Sequence, residues 1–340
     1  MATSGGARLL FLALLSAIQT LALVEARAAP PSFDPAAAER LERRSAARQG
    51  RLLLPLPGTP DTQTLLSRLT ASGITLGSRM IIRVFKAESE LEVWFEKDGV
   101  FVPFATYPIC FWSGTLGPKL REGDRQAPEG FYTITERQLH HGDRWRRSLD
   151  IGYPNVFDRV NGRNGSLILV HGGCDSIGCF AMTNAVNAEL YELVSATLRR
   201  GVAHVQVHVF PFRMTDANVT VNATSQWKDF WADLKQGYDS FERTHLPPHV
   251  SVCGKRYHIE DAMRGGRDAE GIELCDQDRN LIPDHLQLPD KSPGSQANET
   301  LPPPPCAMAL ASCRRWVALR DRRAADNLVA THARKTSKVR

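Results

Sequence analysis

Short runs of β-branched and aromatic residues, partly alternating with polar ones, mark the middle of the chain. Met80–Phe85 and Leu91–Phe95 are two such runs, and the triplet Lys97-Asp98-Gly99 gives a tight-turn signal after them. A third run occupies 100–104. The pattern predicts a meander of antiparallel strands that continues through 106–112 and 130–134.

Further along, the hydrophobic period changes from that of a strand to that of a helix. The nearly continuous apolar run at 166–170 predicts a strand that ends directly at His171. Beyond Cys179, apolar residues recur every three or four positions from Val186 to Leu198. This spacing predicts a helix that ends at Gly201.

The elements around this core complete the expected architecture. A strand is predicted over 204–212 and an amphipathic helix over 227–241, while 36–48 and 62–71 have helical patterns near the start. The predicted fold is therefore mainly β with accessory helices, an α+β arrangement with one helix following Cys179.

The N-terminus has the organisation of a secretory signal peptide. Arg8 precedes an apolar run, Leu9–Val24, and the small-x-small triplet Ala26-Arg27-Ala28 follows. A membrane anchor is the alternative, but the run is short and interrupted compared with the roughly 20 residues that a bilayer requires. We expect cleavage of 1–28, export to the periplasm or cell envelope, and no stable membrane insertion afterwards.

Composition and cysteine count narrow the class of protein. The chain of 340 residues is 42% hydrophobic and 23% charged, which is typical of globular proteins, and its net charge of +5 gives no indication of nucleic-acid binding. Seven cysteines leave at least one thiol unpaired in an oxidising compartment. An unpaired exported thiol is a candidate nucleophile.

The segment 171–182 contains the candidate chemistry. His171 ends the buried strand, Cys179 precedes the helix, and Gly172, Gly173 and Gly178 lie between them. A neighbouring imidazole and a helix N-terminus both favour a thiolate, and small residues let a substrate backbone approach. Their backbone N–H groups could also face a developing oxyanion.

Two alternatives compete for the same residues. His171, Cys174 and Cys179 could bind a metal, although Cys-x4-Cys is not a usual zinc spacing and no fourth ligand lies nearby in the sequence. A Cys174–Cys179 disulfide would block the thiol. We expect neither metal nor organic cofactor.

The motif Ser176-Ile177-Gly178-Cys179-Phe180-Ala181-Met182, preceded by His171-Gly172, resembles the active-site signature of the YkuD-type L,D-transpeptidases. It is most similar to the YafK-like branch, whose members are associated with hydrolysis. The resemblance runs from about residue 78 to 214 and includes further matching blocks at 116–125, 127–132, 149–155 and 207–214.

The resemblance implies a β-sandwich-like catalytic fold and acyl transfer on peptidoglycan stem peptides. Cys179 would be the nucleophile, attacking the carbonyl of the third residue of a tetrapeptide stem, a diamino acid, and expelling the terminal D-alanine. His171 would accept and return the proton. The carbonyl of Gly172 would orient His171, and the Gly178 N–H would stabilise the oxyanion. A peptidoglycan-linked lipoprotein is a further possible partner.

The sequence departs from the family pattern beside the nucleophile. Ile177 replaces a histidine, and Ala181 replaces an arginine or asparagine. Stem recognition must therefore come from other residues, for which the candidates are Ser176, Arg121, Asp124 and Arg213. For the last three, a loop-bracing ion pair is an equal alternative.

These patterns divide the chain into a signal peptide (1–28), a loosely packed, partly helical lead-in (29–77), the catalytic domain (78–214), a helical packing extension (215–260) and a Pro/Asp-rich, then basic, partly disordered extension (261–340). Cys110 is expected in the core. Cys174 is either a bystander or a redox lock on the nucleophile. The four remaining cysteines could form two disulfides of undetermined pairing: Cys253, Cys275, Cys306 and Cys313.

Three functions follow from this sequence. The first is acyl transfer through a cysteine thioester, ending either in cross-linking or in hydrolysis that releases a stem-linked peptide or protein. The second is a wall-binding module that has kept the fold and lost the chemistry, as the changes at Ile177 and Ala181 would permit. The third is a zinc or thiol-redox protein.

Overall fold

A computed structural model describes residue 34 and the ranges 36–141, 147–265 and 271–276. The predicted signal peptide, most of the C-terminal extension, Cys306 and Cys313 lie outside these residues. The helices are α1 (Ala37–Arg48), α2 (Leu65–Ala71), α3 (Val156–Val160), α4 (Asn184–Arg199), α5 (Asp216–Val221) and α6 (Lys228–Thr244).

The first sheet has the strand order β3-β2-β1-β10-β5. Its strands are β1 (Met80–Phe85), β2 (Glu90–Lys97), β3 (Val100–Pro108), β5 (Gly130–Ile134) and β10 (Val205–Phe210). All six residues of β1 are buried because this strand lies in the centre of the sheet.

The second sheet carries the candidate chemistry and has the order β4-β9-β8-β7-β6. Its strands are short: β4 (Phe111–Trp112), β6 (Leu139–His140), β7 (Ser148–Asp150), β8 (Leu169–His171) and β9 (Phe180–Ala181). A third, small sheet contains β11 (His249–Cys253), β12 (Arg256–Glu260) and β13 (Ile272–Leu274), in the order β12-β11-β13.

The predicted mainly β, α+β fold is confirmed, but the predicted meander is only partly correct. β1, β2 and β3 form antiparallel pairs as expected. β1 also pairs in parallel with β10, more than 100 residues away, and β5 pairs with β10. β4 belongs to the second sheet. Hairpin signals in the sequence report only the local pairings, so these long-range ones were missed.

One hydrophobic core joins the two large sheets. α4 contacts strands of both sheets, and 11 of its 16 residues are buried. A helix buried on most of its surface is typical of a position between two layers. Val170 of β8 and Phe180 of β9 belong to this core, which lies behind the candidate site.

The lead-in packs more tightly than its Ala/Arg/Pro composition predicts. Arg40 of α1 is only 4% exposed; its guanidinium stacks 3.7 Å from the Trp112 ring centroid and donates to the Trp112 carbonyl. Leu56 is also buried, against Cys110 and Cys174. Arginine can cover an aromatic face because its guanidinium is planar and weakly hydrated.

No helix in the described part of the chain is long and apolar enough to cross a membrane.

Candidate active site

Parallel pairing of β8 and β9 brings Cys179 back beside the start of β8. Val170 pairs with Phe180, and both side chains are fully buried in the core. Because strand side chains alternate, His171 faces the opposite side of the sheet from Val170. The sulfur of Cys179 accepts a hydrogen bond from the Leu169 N–H at 3.3 Å.

The observed strand is shorter than the predicted 166–170. Leu167 has a φ of +51°, which interrupts extended backbone, and β8 begins only at Leu169. The Leu167 carbonyl lies 3.5 Å from the Cys179 sulfur and accepts from the thiol. The irregular backbone therefore supplies an acceptor to the thiol on one side, while Leu169 supplies a donor on the other.

The imidazole of His171 is oriented by its own neighbour. Its Nδ1 lies 2.6 Å from the Gly172 carbonyl oxygen, so Nδ1 carries the proton and Nε2 carries the lone pair in the neutral ring. A Cβ at Gly172 would lie 2.4 Å from the Asn184 side-chain oxygen and 3.3 Å from the Asn184 Cα, so a larger residue here would require Asn184 to shift. Burial lowers the pKa of His171.

The thiol is held in its protonated form. Burial raises the pKa of Cys179 to about 11, against the smaller lowering effect of the Leu169 N–H. The charge of Asp150 raises it further. The expected thiolate-favouring environment is thus outweighed by desolvation, and the resting pair is a neutral thiol and a neutral imidazole.

Hydrogen bonds within the loop 172–178 and to Cys179 fix the conformation of the backbone that leads into Cys179. The Gly178 N–H donates to the Ser176 hydroxyl at 3.1 Å, and that hydroxyl donates to the Cys179 carbonyl at 2.7 Å. Gly178 has a φ of +151°, a conformation that side-chain-bearing residues rarely adopt. In this resting arrangement both the proposed oxyanion donor and the buried Ser176 serve the loop itself.

The disulfides decide which thiol is free. Cys174 pairs with Cys110, across 64 residues of sequence, and Cys253 pairs with Cys275. The interpretations of Cys174 as a bystander thiol or as a lock on Cys179 are therefore wrong, and the fully buried Cys110 is a bridge residue. Cys179 is the free cysteine of the described residues. The bridge also removes Cys174 from the zinc ligands that the sequence offered.

Helix α1 clamps the loop from outside the catalytic domain. Arg44 and Arg48 both bind the Asp175 carboxylate, at 2.7 and 3.0 Å. Arg44 also donates to the Ser176 carbonyl at 3.4 Å and stacks over Phe111. Sequence reasoning missed this clamp, because more than 120 residues separate the partners. The position of an arginine on a helix does not indicate which distant carboxylate it binds.

Two of the remaining substrate-binding candidates, Asp124 and Arg213, have structural partners. Asp124 binds Lys119 at 2.5 Å and accepts from the backbone N–H groups of Leu120, Arg121 and Gln126. The side chain of Arg121 is exposed. Asp124 thus closes the loop 119–126, the structural alternative considered for it.

Arg213 lies over the first sheet. It binds Glu90 and Glu92 at 2.6 and 2.7 Å and stacks over Phe85. The structure therefore brings together Cys179, His171, Gly172, Ser176 and Gly178, and engages Arg213 elsewhere.

Asp150 is a site residue that sequence reasoning missed. It pairs with Leu169 across β7 and β8, and its Oδ1 accepts the Gly152 N–H at 2.9 Å. Burial raises the pKa of Asp150 to about 6. Its position beside the thiol depends on strand pairing, which no local pattern encodes.

The family model and the curated relatives that match this chain are those of L,D-transpeptidases. The model of the YkuD family, the L,D-transpeptidase catalytic domain, matches residues 79–209. "Putative L,D-transpeptidase YafK" from Escherichia coli K12 is 44% identical over 188 residues, which cover 55% of this chain and 76% of the relative. The protein of the same name from E. coli O157:H7 matches equally.

Solved structures resemble the chain more distantly. The helical cell shape determining protein Pgp2 from Campylobacter jejuni (K307A mutant) is 20% identical, with a TM-score of 0.34 over 55% of this chain and 69% of that one. Bd1075 from Bdellovibrio bacteriovorus is 18% identical, with a TM-score of 0.28 over 49% and 57%.

Proposed function

The chain belongs to the YkuD-type L,D-transpeptidase family, whose members act on peptidoglycan, and from this premise we propose that it is a cysteine acyltransferase acting on tetrapeptide stems. Cys179 is the nucleophile and His171 is its base. The observation that carries the proposal is the free thiol, placed by the β8–β9 register beside the strand that ends in an oriented imidazole.

The neutral resting pair dictates the order of proton transfer. Nε2 of His171 takes the thiol proton as Sγ bonds to the carbonyl carbon of the third stem residue. The C–N bond to the terminal D-alanine then breaks, and the imidazolium returns the proton to the departing amine. The product is a thioester on Cys179.

The second half-reaction reverses these roles. Nε2 takes a proton from the acceptor as the acceptor bonds to the thioester carbonyl, and the thiol leaves with the proton restored. An amine of another stem gives a cross-link. Water instead gives the free tripeptide stem. Where a linked peptide or protein, such as a peptidoglycan-linked lipoprotein, occupies the place of D-alanine on that carbonyl, its amine is the group that departs in the first half-reaction, and water then frees the stem from Cys179.

Stabilisation of the oxyanion requires a small rearrangement. The Gly178 N–H is bonded to the Ser176 hydroxyl at rest, and it becomes available when that hydroxyl rotates or shifts as the tetrahedral oxygen forms. A donor aimed at the developing charge contributes on the order of 3 kcal/mol of transition-state stabilisation.

Export to the cell envelope agrees with the disulfides. The Cys110–Cys174 and Cys253–Cys275 bridges are of the kind that forms in oxidising compartments and is rare in the cytosol. These bridges, together with the signal-peptide pattern of 1–28, support a periplasmic location.

The test is product analysis on defined muropeptides. Purified protein is incubated with disaccharide-tetrapeptide, and products are separated by mass. We expect tripeptide, a cross-linked dimer, or both from the wild type and from a Cys306→Ala/Cys313→Ala control, and neither from Cys179→Ala or His171→Ala. Turnover by Cys179→Ala would remove the nucleophile from the proposal.

A further inference from the structure

A carboxylate lies one strand away from the backbone that holds the nucleophile. Asp150 pairs with Leu169, whose N–H binds the sulfur of Cys179. Its neighbour Leu149 pairs with Val170 and is fully buried in the core. By alternation, Asp150 therefore faces the same side of the sheet as His171.

Three other aspartates around the site have basic partners, and Asp150 does not. Asp175 binds Arg44 and Arg48, Asp124 binds Lys119, and Asp158 binds Arg163 at 3.1 Å. Within the described residues, the hydrogen bond that Asp150 makes is from the Gly152 N–H to Oδ1, and no arginine or lysine pairs with it. Its half-buried carboxylate thus lacks a counter-ion.

An unpaired carboxylate at Asp150 disfavours ionisation of the Cys179 thiol in the resting site. The Asp150 carboxylate raises the pKa of the Cys179 thiol, and its own pKa is raised by burial. Lys119 lowers the pKa of the thiol but is occupied by Asp124. A cation bound at Asp150 would relieve the buried carboxylate and remove its unfavourable effect on the thiol.

We propose that Asp150 binds the side-chain ammonium of the diamino acid at the third position of the donor stem, and so selects stems that carry a free amine. This inference rests on the proposed function. The contact would hold the attacked carbonyl over Cys179, which makes Asp150 a specificity-determining residue, apart from the nucleophile and base.

The dimensions fit such a substrate. Two interstrand spacings of about 4.8 Å separate the backbone at Asp150 from that at Cys179, and the two side chains shorten the gap. In a diamino acid with a free distal amine, six bonds of about 1.5 Å join the attacked carbonyl carbon to the nitrogen, an extended reach of roughly 7 Å. One ligand can therefore contact both ends.

The experiment compares two synthetic tetrapeptide stems that differ only in the side-chain amine, free in one and acetylated in the other. Release of the terminal D-alanine is measured without added acceptor, so only the donor step is observed. The variants are Asp150→Asn, whose amide oxygen can still accept the Gly152 N–H, and the control Asp239→Asn, which loses a surface pair with Lys235.

We expect the wild type and Asp239→Asn to prefer the free amine by about 10- to 100-fold in kcat/KM, the range for a hydrogen bond to a charged group. Asp150→Asn should process both stems at similar rates, with the loss on the free amine arising mainly in KM. An Asp150→Asn protein that keeps the preference, or that slows equally on both stems, overturns the proposal.

Acylation by a β-lactam without a basic substituent separates this proposal from the proposed function. Asp150→Asn should be acylated at Cys179 within a few-fold of the wild-type rate, because that reagent offers no cation to bind. If the wild type forms no acyl-enzyme with the β-lactam and releases no D-alanine from either stem, the proposed function itself fails. If acylation is lost only in Asp150→Asn, the role of Asp150 is structural and the inference is overturned.

Discussion

The sulfur of Cys179 illustrates how burial changes the expected chemistry of a residue. An imidazole and a following helix suggested a thiolate, yet enclosure by the second sheet raises the thiol pKa to about 11 and lowers that of His171. Both shifts favour the neutral forms, so in the proposed reaction the proton would move during attack rather than before it. The site thus resembles a serine-type general-base pair more than a preformed ion pair.

This arrangement predicts the pH dependence of alkylation. The thiolate fraction of Cys179 should rise tenfold per pH unit from pH 7 towards the thiol pKa of about 11. Labelling by iodoacetamide, followed by mass spectrometry of the 179 peptide, should therefore show no plateau between pH 6 and 9. A plateau in that range would reveal a thiolate–imidazolium pair and contradict the neutral resting state.

Residue chemistry was predictable where a local pattern encodes it. His171 and Cys179 stand out because a short apolar run, small residues and a helical period follow one another. Asp150 could not be identified, because its relation to Cys179 passes through the pairing of β7 with β8 and of β8 with β9. The partner of Cys174 was equally hidden, since disulfide connectivity is not a local property.

At the scale of elements, the loop 172–178 is held at both ends and in the middle. Strands β8 and β9 fix its ends, Cys174 is bridged to Cys110, and Asp175 is bound by two arginines of α1. Each tether restricts a loop that contains several glycines and would otherwise sample many conformations. Helix α1 therefore helps to hold the loop that carries the proposed nucleophile, although it precedes the matched domain.

Removing the α1 clamp should impair turnover more than stability. Asp175→Asn weakens two partly exposed ion pairs, which contribute less than about 1 kcal/mol to unfolding. A small displacement of the loop can nevertheless cost on the order of 10- to 100-fold in kcat. We expect kcat to fall by about tenfold with little change in KM.

The matched control for the clamp is Asp261→Asn, which loses an exposed pair with Arg243 in the C-terminal part of the described chain. It should leave kcat unchanged while altering stability to a similar small extent. Equal kcat values for Asp175→Asn and the wild type would show that α1 does not position the loop.

Element boundaries were predicted well for helices and less well for strands. The helix predicted from the Val186–Leu198 periodicity is α4, Asn184–Arg199, and the run at 227–241 is α6, Lys228–Thr244. The strand predicted at 166–170 is displaced, because Leu167 adopts positive φ. The hydrophobic period of a helix is visible in its own residues. The ends of a strand depend instead on how far its partner strands extend beside it.

On the scale of the whole molecule, a buried ion pair joins the first sheet, the loop beside the site and α6. Lys86 donates to Glu129 at 2.8 Å and to the carbonyls of Gly117 and Ala127, and Glu129 accepts from the Gly117 N–H and from Trp231 of α6. Both charged side chains are fully buried. Their hydrogen-bonding capacity is met within this network, which makes the pair tolerable in the core.

Breaking this pair should be strongly destabilising. Lys86→Met leaves the Glu129 carboxylate buried without its cation, at an expected loss of about 3–5 kcal/mol in the free energy of unfolding. Lys235→Met, which removes surface pairs with Asp216 and Asp239, should lose less than about 1 kcal/mol. Urea denaturation with disulfides intact measures both, and equal losses would contradict the account.

The overall architecture was predictable as a class and not as a topology. Alternating runs such as Met80–Phe85 predicted the β-rich α+β fold correctly. They could not predict that β10 inserts between β1 and β5, or that β4 joins the second sheet. Such pairings depend on how the two sheets pack with α4 between them. That packing exists only once the core has assembled, so no local stretch of sequence reports it.

The most direct test of the central claim is covalent capture of the nucleophile, followed by intact mass. Wild-type protein, Cys179→Ala and the Cys306→Ala/Cys313→Ala control are incubated with a carbapenem, whose ring opens by addition of a thiol. We expect a single adduct with the mass of one carbapenem in the wild type and the control, mapped to Cys179, and none in Cys179→Ala. An adduct on Cys179→Ala, or none on the wild type, would contradict a catalytic Cys179–His171 pair.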